Sequence, residues 1–379
     1  MRRVDDTGSS ESVDLRSEAA TQPMVTSRRD FLKLSAQTLG LVGLAGLTPN
    51  VRAAVTRSIG GSESILVLIH LAGGNDGLNT IVPLSDDRYY RLGPTLAIKP
   101  AQVLGLNDHQ GLHPACRGLH DLYLGKRLSV LPHVGASSLS HFGATDAWSS
   151  VIRPTHAPAS GWLGRLLAQT SDANTSAPAA IHFSDQLPVC LHGAKPRTIY
   201  SLQAPVAFER LCASARAKPL IRQRVSRKFP STLIGQHLQK VATLIAGESG
   251  ARIYHLTLSG FDTHSHQAAA HAQLLQSLSD GLAAFDQQLQ QAGIADRVLT
   301  VAYSEFGRTL QENERLGTDH APAGPVFLIG NPGAINLPGL HSVHTRAPEP
   351  AMDTPSDCRQ VLAALARDWL HCPEAVPVA

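Results

Sequence analysis

ILVLIHLAGGNDG, residues 65–77, is the stretch from which the fold can be read. Its first part, ILVLIHL (65–71), is an apolar run without the in-and-out alternation of a half-exposed strand, so it predicts a strand covered on both faces. GGNDG then closes it in a tight loop. Runs of the same character recur at LSVLPHV (128–134), AAIHF (179–183), RIYHLTL (252–258), VLTVAY (298–303) and VFLIG (326–330). Helical patterns lie between several of them. The clearest is QAAAHAQLLQSLSDGLAAFDQQLQQAG (267–293), whose Leu and Ala spacing gives an apolar stripe ended by Gly293. Strands alternating with long helices predict an α/β fold, a mainly parallel central sheet with helices on both faces. Residues 186–250 are basic and less regular and predict a helical insertion over one edge. With no internal repeat and no low-complexity linker, the segment 55–379 reads as one domain.

The bulk numbers narrow the function. A chain of 379 residues with 43% hydrophobic and 17% charged content suits a globular core. A formal charge of +3 with dispersed Lys and Arg leaves no electrostatic footprint for nucleic acid. Cys116, Cys190, Cys212, Cys358 and Cys372 form no CxxC pair, which argues against a zinc ribbon or a thioredoxin-type centre, and their odd count leaves at least one unpaired.

The segment before the first strand reads as an address. SRRDFLK (27–33), with paired Arg28 and Arg29, precedes a mildly apolar stretch and then Arg52 before two alanines, and it resembles a twin-arginine export signal. The apolar core from Thr38 to Leu47 is shorter than the roughly 20 residues a membrane-spanning helix needs. Residues 1–54 are therefore expected to be a removable signal, which implies contact with the twin-arginine export machinery and delivery to the periplasm or cell envelope. Proteins exported this way usually fold, and often load a cofactor, before leaving the cytoplasm.

In open α/β sheets ligands bind at the carboxyl ends of the strands, and the polar clusters of this chain fall there. Asp76 follows the first strand, Ser140 and His141 the second, and Asp262, His264 and His266 the fourth in GFDTHSHQ. Glu305 follows the next in VAYSEFGRT, and GTDH (317–320) precedes the last. Together, GGNDGLNTIVPLSDDRYYRLGPTLAI, GLHPACRGLHDLY, SHFGATDAW, GFDTHSHQ, SEFGRTLQEN and GTDHAPAG resemble the DUF1501 family of exported bacterial proteins, over nearly all of the chain after the signal. That family is grouped with the alkaline phosphatase superfamily, so the resemblance implies an alkaline phosphatase-like fold and leaves the reaction open.

Superfamily enzymes hold two divalent metals with Asp and His ligands. The resemblance implies that Asp76 matches the acid after the first strand. Asp262 and His266 match an Asp-x-x-x-His pair for which His264 competes, Asp319 and His320 match an Asp-His pair, and Glu305 completes the site. Such donors suit one or two ions of zinc, manganese or iron better than calcium. Ser140 is the expected nucleophile at a helix start, with Thr80 a weaker substitute, and Arg308 is expected to clamp a phosphate or sulfate. Plainer readings stand beside these. Ser140 caps its helix, Arg308 pairs with a local acid, Glu305 lies behind the ligands, Asp319 caps a turn, His320 and the 262–266 cluster are ordinary loop residues, and His113 and His120 are structural. Ala321 and Pro322 depart from the Gly that usually follows GTDH in the family. The function these features imply is a metal-dependent hydrolase of small phosphate or sulfate esters. The alternative is a non-catalytic exported protein with a degenerate metal site that binds an anionic ligand or an envelope partner.

Overall fold

The run that opens the chain's pattern forms β1 (Ile65–Ala72), and it lies near the middle of a nine-stranded sheet. The structure, a computed structural model, describes residues 64–136, 138–150, 160–170, 178–193, 199–202, 228–337, 341–342 and 356–376. Gly60–Ala379 makes one compact unit. The expected signal, with Arg28 and Arg29, lies outside the described residues.

After β1 come β2 (Ile81–Pro83), β3 (Leu104–Gly105) and β4 (Gln110–Leu112), a small sheet of their own. The main sheet takes up β5 (Leu128–Gly135), β6 (Ala180–Phe183), β7 (Ile199–Ser201), β8 (Ile253–Ser259) and β9 (Val298–Tyr303). A hairpin of β10 (Gly307–Glu312) and β11 (Thr318–Ala321) precedes β12 (Ala323–Ile329), and β13 (His341–Ser342) and β14 (Ser356–Asp357) add to β5. The order across the sheet is β13-β5-β12-β9-β1-β8-β6-β7. β9, β1, β8, β6 and β7 pair in parallel, and β12 runs antiparallel to both β9 and β5. The fold is thus α/β with a mainly parallel sheet.

Among the described residues the α-helices are α1 (Asp87–Leu92), α2 (Arg117–Leu124), α3 (His141–Ser150), α4 (Trp162–Thr170), α5 (Leu233–Ala246), α6 (Gln267–Gln291) and α7 (Cys358–Ala364). Period-two alternation divides β1 between two cores. Val67, Ile69 and Leu71 pack with α2, α5 and α6, while Leu66 and Leu68 pack with α3, α4 and α7. Burying both faces explains why β1 shows no polar alternation.

Two expectations need correction. Residues 186–250 were expected to be a helical insertion over an edge. Their described part instead supplies the edge strand β7 and the helix α5, whose Ile234, Leu238 and Val241 are core residues. The strand expected at 326–330 begins at Ala323 and runs opposite to its neighbours. That reversal places the start of β12, and the hairpin before it, at the rim where β1, β8 and β9 end.

Candidate metal centre

Three side chains meet at that rim from three elements. His141 is the first residue of α3, Asp262 follows β8, and His320 lies on β11. One ligand atom from each falls within 4.8 Å of the others, and among the described residues this is the group that metal-ligand chemistry picks out. His320 Nε2 is 3.2 Å from Asp262 Oδ1, and His141 Nε2 is 3.8 Å from Asp262 Oδ2. The ring of buried Phe306 packs under both imidazoles, 4.9 Å from His141 and 4.2 Å from His320.

Both imidazoles are held by their other nitrogen. His320 Nδ1 is 3.0 Å from the carbonyl of Leu139, and His141 Nδ1 is 2.9 Å from Glu305 Oε1. A carbonyl and an ionised carboxylate only accept hydrogen bonds, so each Nδ1 must be the donor and each neutral ring carries its lone pair on Nε2. Both lone pairs then face the Asp262 carboxylate, an arrangement that a proton or a metal cation between them reconciles. Burial pushes the Asp262 carboxyl up, but the hydrogen bond and charge of Arg308, together with the neighbouring imidazoles of His320 and His264, outweigh it and hold it below the usual carboxylate range.

The donor set fits a transition metal. Two imidazole nitrogens and a carboxylate are ligands of zinc, manganese or iron, and a tetrahedral site with bonds of roughly 2.0–2.1 Å holds its ligand atoms about 3.3 Å apart. Here His320 Nε2 faces Asp262 Oδ1 at 3.2 Å and His141 Nε2 faces Oδ2 at 3.8 Å, so the two imidazoles address the two oxygens of one carboxylate.

The other expected residues fall around this triad. His264 lies beside it, Nδ1 3.0 Å from Asp262 Oδ1 and its ring 4.9 Å from that of His320. His266 does not share that place: it opens α6 in the left-handed region at φ 46° and is exposed. Asp319 and His320 are neighbours on a strand, so they point to opposite faces. Asp319 is exposed beside Asn313 Nδ2 (3.2 Å), away from the triad. Asp76 is buried and accepts from the Asn79 N–H (3.0 Å), the Asn79 amide (2.7 Å) and Gln267 Nε2, which makes it the organiser of its own turn. Thr80 is buried too, its hydroxyl given to the Asp76 carbonyl at 2.6 Å.

Arg308 is an internal brace. Its side chain is wholly buried, and it donates from Nε to Gly74 O (3.0 Å), from Nη1 to Thr318 O (2.9 Å), and from Nη2 to Phe261 O (3.1 Å), Gly73 O and Asp262 Oδ1. Every one of its nitrogens thus donates to the protein, and its burial gives it the task of a brace. The brace ties the loops after β1 and β8 to the hairpin. Those loops already touch: a Cβ on Gly73, at φ +118°, would lie 2.2 Å from the Asp262 nitrogen. Ser140 precedes α3 and its hydroxyl accepts from the Gly143 N–H at 3.1 Å, which is capping geometry.

Glu305 stands behind His141. Its Oε1 also accepts from the Gly73 N–H (2.9 Å), and Oε2 is 3.0 Å from His70 Nε2. Burial alone would raise this carboxyl, yet the hydrogen bond and charge of His70, its own backbone N–H and His141 bring it down to about 2. His141 and His70 are the site residues that the sequence did not single out as ligand or support. The available signal for His141 was its place one residue after a helix cap at a strand end.

The family model described as "Protein of unknown function (DUF1501)" matches residues 235–333. That span runs from α5 to just past β12 and contains Asp262, His264, Glu305, Arg308 and His320, while His141 lies outside it. No curated protein matches the chain by sequence. Among solved structures, the chain is similar to the C-terminal periplasmic domain of EcEptC from Escherichia coli in complex with Zn. There the TM-score is 0.44 and the identity 10%, covering 82% of this chain and 83% of that one. It is also similar to the PsFucS1 sulfatase from Pseudoalteromonas sp., with TM-score 0.42 and 10% identity over 87% and 73% of the two chains. For the integral membrane lipooligosaccharide phosphoethanolamine transferase A from Neisseria meningitidis the TM-score is 0.39 and the identity 10%, over 81% of this chain and 60% of that one.

Proposed function

We propose that this is an exported hydrolase of small phosphate or sulfate esters that works with one divalent transition metal held by His141, Asp262 and His320. The observation that carries the reading is the pair of imidazoles fixed through Nδ1 so that both Nε2 lone pairs face one carboxylate. Three protein ligands with a remaining open position is the pattern of catalytic zinc, whereas structural zinc is closed by four. When bound, such an ion supplies electrophilic pull on an ester oxygen and on water. The chain's own residues do the rest. Phe306 shields the underside of the imidazoles, Arg308 keeps the Asp262 loop in place, and His264 stands beside Asp262 to meet the ligand. Ser140 offers a hydroxyl at the start of α3, where the first N–H groups favour an anion.

This reading takes one metal where one or two were expected, because Asp76 and Asp319 have other partners. The resemblance to DUF1501 supports the alkaline phosphatase-like fold, and the SRRDFLK segment supports the export. A second reading is favoured by one observation: Ser140 caps α3 and Arg308 braces the loops, so both residues expected to carry the chemistry have structural tasks. A non-catalytic protein that binds an anion through its metal fits that. Metal analysis of the purified exported protein, joined to a screen of phosphate and sulfate esters, separates the two. One equivalent of metal with turnover supports the hydrolase, one equivalent without turnover supports the binding protein, and no metal removes both.

A further inference from the structure

Glu305 lies just past the end of β9, its side chain 3% exposed, and its hydrogen bonds reach β1, the loop that follows β1 and the start of α3. Oε1 takes the Gly73 N–H and His141 Nδ1, each at 2.9 Å, and Oε2 takes His70 Nε2 at 3.0 Å. His70 is itself fixed by stacking on Tyr303 at 5.3 Å, and Tyr303 packs on Trp148 of α3 at 4.5 Å. The carboxylate is therefore held from one side and holds His141 from the other.

His141 has little else to set its orientation. Its side chain is 45% exposed, and its ring contacts are with Phe306 and, edge-on, with His320 at 4.9 Å. A phenyl ring is indifferent to which imidazole nitrogen bears the proton. In water, the two neutral tautomers of an imidazole interconvert freely, and only a hydrogen bond on one nitrogen decides between them.

We propose that Glu305 is a positioning residue that locks His141 in the Nδ1–H tautomer, aiming Nε2 at Asp262 so that the site is set for a cation before one arrives. The inference rests on reading the triad as a metal site, but the tautomer it predicts exists in the metal-free protein. Glu305 acts through His141 and is not counted among the ligands. His320 is fixed in the same sense by the Leu139 carbonyl, a backbone group that no side-chain substitution removes.

The test uses the demetallated protein, with zinc alone as the probe, in two measurements. Long-range nitrogen–proton NMR at about pH 8, where an ordinary imidazole is neutral, reads the tautomer of His141, assigned by comparison with His141→Gln. The parent should show Nδ1–H; an Nε2–H ring in the parent overturns the proposal without any variant. Zinc affinity by chelator competition is then compared for Glu305→Ala and Glu305→Gln. Loss of the acceptor should mix the tautomers and weaken zinc roughly 10- to 100-fold, the usual cost of removing a partner behind a ligating His. The Gln amide oxygen can still accept from Nδ1–H, so Glu305→Gln should keep the Nδ1–H tautomer and recover most of the affinity. A folded Glu305→Ala with unchanged tautomer and zinc affinity overturns the proposal. If that variant does not fold, Glu305→Gln and the parent NMR decide. If the parent binds no zinc, the metal reading fails, and the NMR still settles what Glu305 does.

Discussion

His255 shows what burial does to an imidazole that has no place in the site. It lies in β8, fully buried, and its Nδ1 finds no hydrogen-bond partner among the described residues. Burial, with His70 and His182 nearby, pushes its pKa down to about 3. An unfolded His titrates near 6.5, so between those values the unfolded chain binds a proton that the folded chain refuses. The stability His255 contributes is complete above about pH 6.5 and is lost as pH falls toward 3. Each unit of depression is worth about 1.4 kcal/mol. His255→Met should therefore lose less stability than the parent between pH 6.5 and 4 in urea titrations, by more than about 1.4 kcal/mol. Equal slopes for the two proteins would mean that His255 is charged in the fold or that its burial has been misjudged. His141 is the contrary case: half exposed and tied to Glu305, it keeps a nitrogen available at the rim.

β11 separates two residues that the sequence presents as a pair. Asp319 and His320 read as an Asp-His ligand unit, yet strand pleating sends one to solvent and the other to Asp262. His320→Ala should weaken zinc by at least about 100-fold, whereas Asp319→Ala should stay within about threefold of the parent by chelator competition. Comparable losses in both would show that β11 turns differently from the strand described. This is where reading from sequence reaches its limit. The six apolar runs and the long amphipathic helix at 267–291 were legible, because period and length are local properties. Strand direction was not legible, since an apolar run reads alike both ways, and so the reversal of β12 came only with the sheet. Asp262, His264 and His320 were legible as polar residues clustered beside strands. Asp76 had the same signature, but NDGLN also encodes a turn in which Asn79 answers the carboxylate, and α6 brings Gln267 to finish the task. The bond from Glu305 to His70 joins positions 235 residues apart, a pairing that no local pattern announces.

For the protein as a unit, export and metal content are the two properties to measure. Replacing Arg28 and Arg29 together with Lys should hold the precursor in the cytoplasm, because the receptor for such signals reads guanidinium geometry that an ammonium group does not reproduce. Normal export of that variant, followed by fractionation, would remove the signal assignment. Among the described residues no helix is long and apolar enough to cross a membrane, and the triad lies on the compact unit Gly60–Ala379. A metal that binds only the folded state stabilises it by RT ln(1 + [L]/Kd), about 2.7 kcal/mol at a hundredfold excess over Kd. Zinc should therefore raise the melting temperature of the parent and leave that of Asp262→Asn nearly unchanged. The most direct measurement is the zinc stoichiometry of the demetallated and reloaded parent beside His141→Ala, Asp262→Asn and His320→Ala. One equivalent in the parent and much less than one in each folded variant is the predicted result; no bound zinc, two equivalents, or one that survives all three substitutions would contradict it.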